Sequence, residues 1–223
     1  MTTASEQLKS GQAKLLATCG LAAVIVLPLL PVGRWIAPGD SLTALLIREM
    51  VWWIYAAALL LWLVLIERLP LSSIGFRWPT WKTLLFAVVG AVAMLIIFAL
   101  HMGVIVRVFR LDTARILEQQ RMIFSRPYWF RVLLVTRAAV VEEILFRGYM
   151  IEKVRQLTGS GVSAVAVSVL TFTWAHYAGW GLVQLIPACG AGVVLALLYV
   201  RRRDLPSNML AHFLTDGVGF LLR

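Results

Sequence analysis

Long apolar runs with no Asp, Glu, Lys or Arg constrain this chain more than any other feature of its sequence. The clearest run covers residues 84–106. A helix needs about 20 mostly apolar residues to cross a bilayer, because its backbone polar groups must be satisfied within the segment. With 61% hydrophobic and 14% charged residues, the chain is too apolar for a water-soluble domain. The sequence therefore predicts an all-α fold, a polytopic transmembrane helical bundle of about seven membrane segments.

Seven segments are candidates for crossing the membrane. Four are long and carry no charged residue, the fourth in chain order is long but contains charges, and two are short for a full crossing. Residues 1–12 are predicted to form a polar N-terminal tail, followed by a single membrane-embedded domain over residues 13–223. The seven segments cover residues 15–32, 50–66, 84–106, 132–150, 162–176, 179–200 and 209–222.

The net charge of +10 collects at the ends of the apolar segments, which favours membrane topology over binding of nucleic acid. Arg201, Arg202 and Arg203 indicate that the sixth segment ends on the cytoplasmic side. The six arginines within residues 107–131 disagree with this, because a simple seven-crossing count places them outside. Either one segment does not span, or residues 111–124 lie along the surface as an amphipathic helix. The sequence leaves the topology open.

The fourth segment contains two acids and a base, Glu142, Glu143 and Arg147. An ionisable side chain at the centre of a membrane helix costs roughly 2.5–3.5 kcal/mol, so it usually faces a partner or a water-filled cavity. Glu143 and Arg147 are four residues apart, which predicts an ion pair on one helical face. Glu142 points about 100° away and has no local partner, which suits a general base. A structural ion-pair network between helices is the alternative.

Histidines in two later segments are placed to meet these acids. His176 ends the fifth segment, while His212 lies in the seventh, four residues before Asp216 on the same helical face. A single membrane histidine is more typical of a hydrogen bond between helices. Two histidines in segments that follow an acidic helix favour a shared site.

Three short motifs, in this order, resemble those of a known protease family. Together they are similar to the motifs of the CAAX protease and bacteriocin-processing family, also called the Abi family, of glutamic intramembrane proteases. The resemblance covers roughly residues 134–219 and places the catalytic core at about residues 131–220; the first three segments match only in being hydrophobic. The motifs are Glu142-Glu143-x-x-x-Arg147, Phe172-x-x-x-His176 and His212-x-x-x-Asp216.

The resemblance implies an intramembrane endopeptidase, which hydrolyses a peptide bond inside or at the edge of the membrane. Glu142 and His176 would hold and deprotonate the attacking water. His212, together with position 216, would stabilise the tetrahedral oxyanion. Glu143 and Arg147 would fix the helix and the charge that faces the substrate.

Position 216 departs from the family pattern, in which Asn is common. Asn can donate a hydrogen bond to an oxyanion, whereas an ionised Asp can only accept one. Asp216 must therefore be protonated in order to donate, or it must orient His212 as a cation that stabilises the oxyanion alone. We favour the second arrangement, because a carboxylate attracts the charged form of a neighbouring imidazole.

The depths of the two histidines present a difficulty for a common site. With straight crossings, His176 lies at the end of the fifth segment that is remote from the triple arginine, whereas His212 lies on the arginine side. The two side chains would not meet, so a common site requires a short, tilted or broken segment. Candidate positions for the break are Gly148, Gly179, Gly181 and Pro187.

Two other functions fit the same residues. A glutamate with two histidines is a ligand set for catalytic zinc, so a zinc-dependent intramembrane protease is one alternative. A non-enzymatic transporter or bacteriocin-immunity membrane protein is the other. The favoured mechanism uses no cofactor and no metal. Its expected partners are a membrane-associated peptide or protein substrate and the lipid bilayer, with no nucleic acid, in a multi-pass protein of a prokaryotic cell (inner) membrane.

Overall fold

The computed structural model describes residues 4–222, with side chains described for residues 11–222. Residues 1–3 of the predicted polar tail lie outside the described residues, and so does residue 223. The described range is built of helices and contains no strand, so the prediction of an all-α fold is confirmed. The first helix begins at Ala4, inside the predicted tail.

Eight main helices make up the described chain, and several of them begin at a capping side chain. The Ser41 hydroxyl accepts a hydrogen bond from the backbone N–H of Ala44, and Ser160 and Asp204 cap later helices in the same way. The main helices are α1 (Ala4–Val26), α2 (Leu42–Leu61), α3 (Trp81–Leu100), α4 (Ala114–Phe124), α5 (residues 128–158), α6 (Gly161–Ala175), α7 (Leu182–Arg202) and α8 (Leu205–Phe220).

The helix α5 has three parts that follow one another without a break. An α-helical part, Tyr128–Arg137, leads into the π-helical Ala138–Ile151, and α-helical Glu152–Thr158 ends it. In a π-helix the backbone bonds close between residues i and i+5. Shorter elements extend or join the other helices: Leu27–Leu29, Val32–Ile36, Trp62–Ile66, Leu71–Ile74, His101–Ile105, Val106–Val108 and Tyr177–Trp180.

Within the described residues, five helical stretches are long and apolar enough to cross a membrane, compared with the seven segments predicted. The other two predicted segments are helical as well, in α5 and α8, but α8 has 16 residues and α5 carries the charges of the predicted site. The chain is an integral, multi-pass membrane protein. The five stretches are Gly11–Leu29, Leu42–Ile66, Trp81–Val108, Gly161–Trp180 and Leu182–Arg202.

The helix α4 lies in the arginine-rich region that the sequence could not place. It has 11 residues, which are too few to cross a bilayer. Ile116 and Ile123 are buried on its inner side, whereas Arg115 and Arg121 are exposed. This is the form that the second explanation requires, a short amphipathic helix beside the spans.

The helix α5 occupies the centre of the bundle, where it contacts α1, α2, α6, α7 and α8. Its side chains at Val141, Leu145, Tyr149 and Met150 are completely buried. Apolar packing on all sides therefore holds the charged motif of α5 in a fixed place, because a well-packed interior leaves few alternative side-chain positions.

Gly148→Ala is expected to destabilise the bundle by overpacking. A Cβ atom at this position would lie 3.0 Å from the carbonyl oxygen of Ile74 and 3.3 Å from Cδ2 of Leu205. Overpacking of this kind typically costs about 1–3 kcal/mol, so we expect a lower melting temperature for the purified protein in detergent. Gly103→Ala is the matched control, since nothing lies within 4 Å of a Cβ there. Equal melting temperatures for Gly148→Ala and the unmodified protein would contradict this packing.

Candidate active site

A cavity of about 470 Å³ lies within the bundle and is lined by side chains from α2 through α8. Glu143 and Arg147 are fully buried next to this lining. The structure thus brings residues of all three predicted motifs to one place. The lining includes four of the six predicted site residues, Glu142, His176, His212 and Asp216.

Glu142 has a partner that the sequence did not predict. Nη1 of Arg137 donates to Oε1 of Glu142 at 2.8 Å, so the expectation that Glu142 lacks a local partner was wrong. Arg137 was missed because an α-helix places residues five apart on different faces, whereas a π-turn brings them together. The other carboxylate oxygen, Oε2, is buried without a hydrogen-bond partner among the described residues. One oxygen of Glu142 is therefore occupied and the other can accept a proton.

Glu143 is the centre of a buried polar network between α5 and α8. Its Oε1 accepts a hydrogen bond from Nη1 of Arg147 at 2.8 Å and lies 2.9 Å from Nδ1 of His212. Its Oε2 accepts a hydrogen bond from Nδ2 of Asn208 at 3.3 Å. The ion pair between Glu143 and Arg147 is present as their spacing indicated. Asn208 was missed, although it lies four residues before His212 and so shares its helical face.

The aromatic ring of Phe172 joins this network to both histidines. The guanidinium carbon of Arg147 lies 4.0 Å from the centre of the Phe172 ring, within the range of a cation–π contact. The same ring is 4.6 Å from the His176 ring and 6.2 Å from the His212 ring, measured between centroids. Phe172 therefore packs against both imidazoles and fixes their positions relative to α5.

The imidazole of His212 lies between two carboxylates. Nδ1 is 2.9 Å from Oε1 of Glu143, and Nε2 is 3.6 Å from Oδ2 of Asp216. Both ring nitrogens carry hydrogens only in the charged ring, which is the form that suits two carboxylate neighbours. The 3.6 Å separation is an ion-pair distance that exceeds normal hydrogen-bond length, so the hydrogen on Nε2 is not committed to Asp216.

His176 stands at the C-terminal end of α6. Its Nδ1 is 2.8 Å from the carbonyl oxygen of Phe172. Because a carbonyl oxygen only accepts hydrogen bonds, Nδ1 carries the hydrogen, and Nε2 of the neutral ring is an acceptor. In that tautomer Nε2 can accept a hydrogen bond from a water molecule.

The short helix α6, with 15 residues, ends at His176 and places it at the same cavity as His212, so the difficulty with depth does not arise. The chain forms a short helix, Tyr177–Trp180, and then turns at Gly181, whose φ of 79° is readily adopted only by glycine. The chain beyond His176 therefore does not continue as a straight helix into α7. The other candidate break positions lie inside helices: Gly148 in α5, Gly179 in Tyr177–Trp180 and Pro187 in α7.

The surface helix α4 covers one side of the cavity and is attached to the short helix after His176. Ile116 and Ile123 of α4 contribute to the cavity lining. The guanidinium of Arg115 donates to the carbonyl oxygens of Ala178 at 2.5 Å and Gly179 at 3.3 Å. The position of α4 is therefore linked to the turn that follows His176.

The arrangement of the acids and histidines differs from a zinc site. Among residues 4–222, no group of three or more His, Cys, Asp or Glu side chains is placed to hold a metal ion. Zinc ligands converge on one point at about 2.0–2.3 Å from the metal. Here the carboxylate of Glu142 is hydrogen-bonded to Arg137, and the ring of His212 lies between the carboxylates of Glu143 and Asp216, so their donor atoms do not converge on one point.

Comparison with known proteins agrees with the motifs. Residues 124–218 match the family model of type II CAAX prenyl endopeptidase Rce1-like proteins. This part of the chain is Rce1-like. The match runs from the end of α4 into α8 and includes all six predicted site residues, so the resemblance to the CAAX protease family is confirmed. The match over this region supports an intramembrane protease of the CAAX type in general terms. No curated protein and no solved structure matches the chain.

Proposed function

We propose that the chain is a glutamic intramembrane endopeptidase in which Glu142 activates the attacking water. One observation carries this proposal: Glu142, with one carboxylate oxygen free, lines the same cavity as His176 and His212. A general base must lie within hydrogen-bond reach of the proton that it removes, and a cavity at this position gives a water molecule room to bind.

In the proposed reaction, a water molecule donates one hydrogen bond to Oε2 of Glu142 and one to Nε2 of His176. Glu142 takes the proton as the water oxygen bonds to the carbonyl carbon of the substrate. The resulting oxyanion receives a hydrogen bond from Nε2 of His212, which Asp216 orients as a cation. Glu142 then gives its proton to the amide nitrogen, the C–N bond breaks, and an amine and a carboxylic acid leave.

The rest of the cavity suits a substrate with an apolar group close to the cleaved bond. The apolar part of the cavity is lined by Met94 and Phe98 of α3, by Met102 just after α3, and by Phe130 and Leu134 of α5. Apolar walls with a few polar groups at one end orient a ligand by its polar part. We propose a membrane-associated peptide or protein, cut near its membrane-proximal or C-terminal part, in a prokaryotic inner membrane.

The name of the matching family gives the first probe for a test of this function. The purified protein in liposomes is incubated with an internally quenched peptide that ends in a farnesylated CAAX sequence, and separately with the same peptide without the prenyl group. We expect one cut near the C-terminus of the farnesylated peptide, located by mass spectrometry, and slower cleavage of the other. If folded protein cuts neither of these peptides nor a hydrophobic C-terminal sorting peptide, the proposed function is wrong.

Removal of metal ions distinguishes the proposed mechanism from the zinc-dependent alternative. We expect full cleavage activity after exhaustive chelation with EDTA and 1,10-phenanthroline, because a glutamate-activated water needs no Lewis acid. The measurement is the initial rate on the farnesylated peptide before and after dialysis, with metal content determined by mass spectrometry. Activity that disappears on chelation and returns with added Zn²⁺ would favour the alternative.

A further inference from the structure

We infer that Glu49 and Arg137 are positioning residues for Glu142. They hold one oxygen of its carboxylate so that the other remains directed to the attacking water. Neither residue belongs to the three motifs, and Glu49 lies on α2, outside the region of the Rce1-like match. The inference rests on the proposed function, since it assigns the residues that orient its general base.

The side chains of Glu49, Arg137 and Glu142 form a chain of hydrogen-bonded ion pairs from α2 to α5, called the relay below. Nε of Arg137 donates to Oε2 of Glu49 at 2.7 Å, and Nη1 of Arg137 donates to Oε1 of Glu142 at 2.8 Å. All three residues line the cavity. The relay is nearly buried, with side-chain exposures of 11% for Arg137, 9% for Glu49 and 16% for Glu142.

The rigid fork of an arginine explains why this arrangement positions a carboxylate. The guanidinium is planar and its donors have fixed directions, so the bond to Glu49 sets the orientation of the group that faces Glu142. The guanidinium carbon also lies 5.7 Å from the centre of the Trp52 ring on α2. Arg137 is thus held by α2 through Glu49 and Trp52, and it presents Nη1 to Glu142.

The charge balance of the relay points to the same role. Glu49 and Glu142 are both acids at one cavity, and Arg137 lies between them as the shared cation. Without Arg137 the two carboxylates would repel each other, and Glu142 would be free to rotate away from the water. A misplacement of the reacting group by about 1 Å can cost about 10²-fold in rate.

A second ion pair between the same helical regions provides a control of matched chemistry. Glu67, directly after the short element Trp62–Ile66 that extends α2, pairs with Lys153 of α5. Glu67 also accepts hydrogen bonds from Tyr149 and Trp62. This cluster does not include any of the cavity-lining acids or histidines, so Glu67→Gln changes a buried ion pair in the same way as Glu49→Gln but away from the water.

The test measures kcat and KM separately for Arg137→Ala, Arg137→Lys, Glu49→Gln and Glu67→Gln on the farnesylated peptide. Loss of an interaction needed only in the transition state lowers kcat and leaves KM within about twofold. We expect Arg137→Ala to lose about 10²-fold in kcat, with smaller losses for Arg137→Lys and Glu49→Gln. Glu67→Gln is expected to lower the melting temperature while its kcat stays close to that of the unmodified protein.

Chemical rescue separates positioning from folding. Arg137 lines the cavity, so methylguanidinium is expected to enter the space left in Arg137→Ala and to restore part of kcat, whereas sodium chloride at equal ionic strength should not.

Unchanged kcat in both Arg137→Ala and Glu49→Gln would overturn this inference while the proposed function stands. If Arg137→Ala does not fold, Glu49→Gln decides the matter, because it keeps the shape of the side chain. Failure of the unmodified protein to cut any probe would overturn both proposals.

Discussion

Glu142→Gln protein is expected to fold and bind substrate normally but to lose cleavage activity. Gln has nearly the same shape as Glu and can still accept a hydrogen bond from Arg137 through its amide oxygen. It cannot take a proton from water, and a general base typically contributes about 10²–10⁴-fold to the rate. We therefore expect a loss of this size in kcat on the farnesylated peptide, with a melting temperature close to that of the unmodified protein.

Substrate binding in Glu142→Gln distinguishes an enzyme from a transporter or a binding protein. The affinity for the farnesylated peptide, measured by fluorescence polarisation, should stay within about twofold of the affinity of the unmodified protein measured at low temperature before appreciable cleavage. A carrier or immunity protein would instead show a graded loss of affinity. Cleavage at the normal rate by Glu142→Gln would show that another group activates the water.

The adjacent substitution, Glu143→Gln, is expected to fail in a different way, by destabilising the protein. Arg147 is completely buried and Glu143 is its ion-pair partner, so the substitution leaves an uncompensated charge in the interior. Breaking a buried pair by removal of one partner costs about 3–5 kcal/mol. We expect little folded protein after purification, and a strongly lowered melting temperature for what remains.

A double substitution tests whether the buried charge causes this loss. Replacing the pair together, as Glu143→Leu with Arg147→Met, removes both charges and is expected to recover much of the stability. Activity should not return, since His212 then loses the carboxylate that lies 2.9 Å from its Nδ1. Normal stability of Glu143→Gln alone would contradict the role of Glu143 as the centre of a buried network.

The sequence was sufficient to predict the fold class and the Glu143–Arg147 pair because both follow from regular patterns. Long apolar runs indicate membrane-spanning helices, because a helix in lipid needs apolar side chains along its length. Residues four apart on a helix share a face, so the pair was visible from its spacing. The predicted segments in α5 and α8 are not among the five apolar stretches, and the sequence did not reveal this, because burial of α5 and α8 inside the bundle reflects contacts with other helices that no local pattern records.

The partners of Glu142 could not be predicted for two physical reasons. Arg137 is five residues away, a spacing that matters only where the helix adopts π geometry, and the sequence does not reveal where that occurs. Glu49 pairs with Arg137 across 88 positions of the chain, so it is brought near by packing of α2 on α5 alone. Single-sequence patterns describe neighbours along a helix and are silent on such distant pairs.

The attachment of α4 to the turn at Ala178 and Gly179 has a consequence for how a substrate reaches the water. Arg115 donates hydrogen bonds to both carbonyl oxygens, so outward movement of α4 is coupled to the turn that follows His176. A substrate bulky enough to push α4 aside would therefore have to break these two hydrogen bonds or move the turn that follows His176. Hydrolysis would then begin only after the substrate has entered the cavity completely and α4 has returned to its position over it.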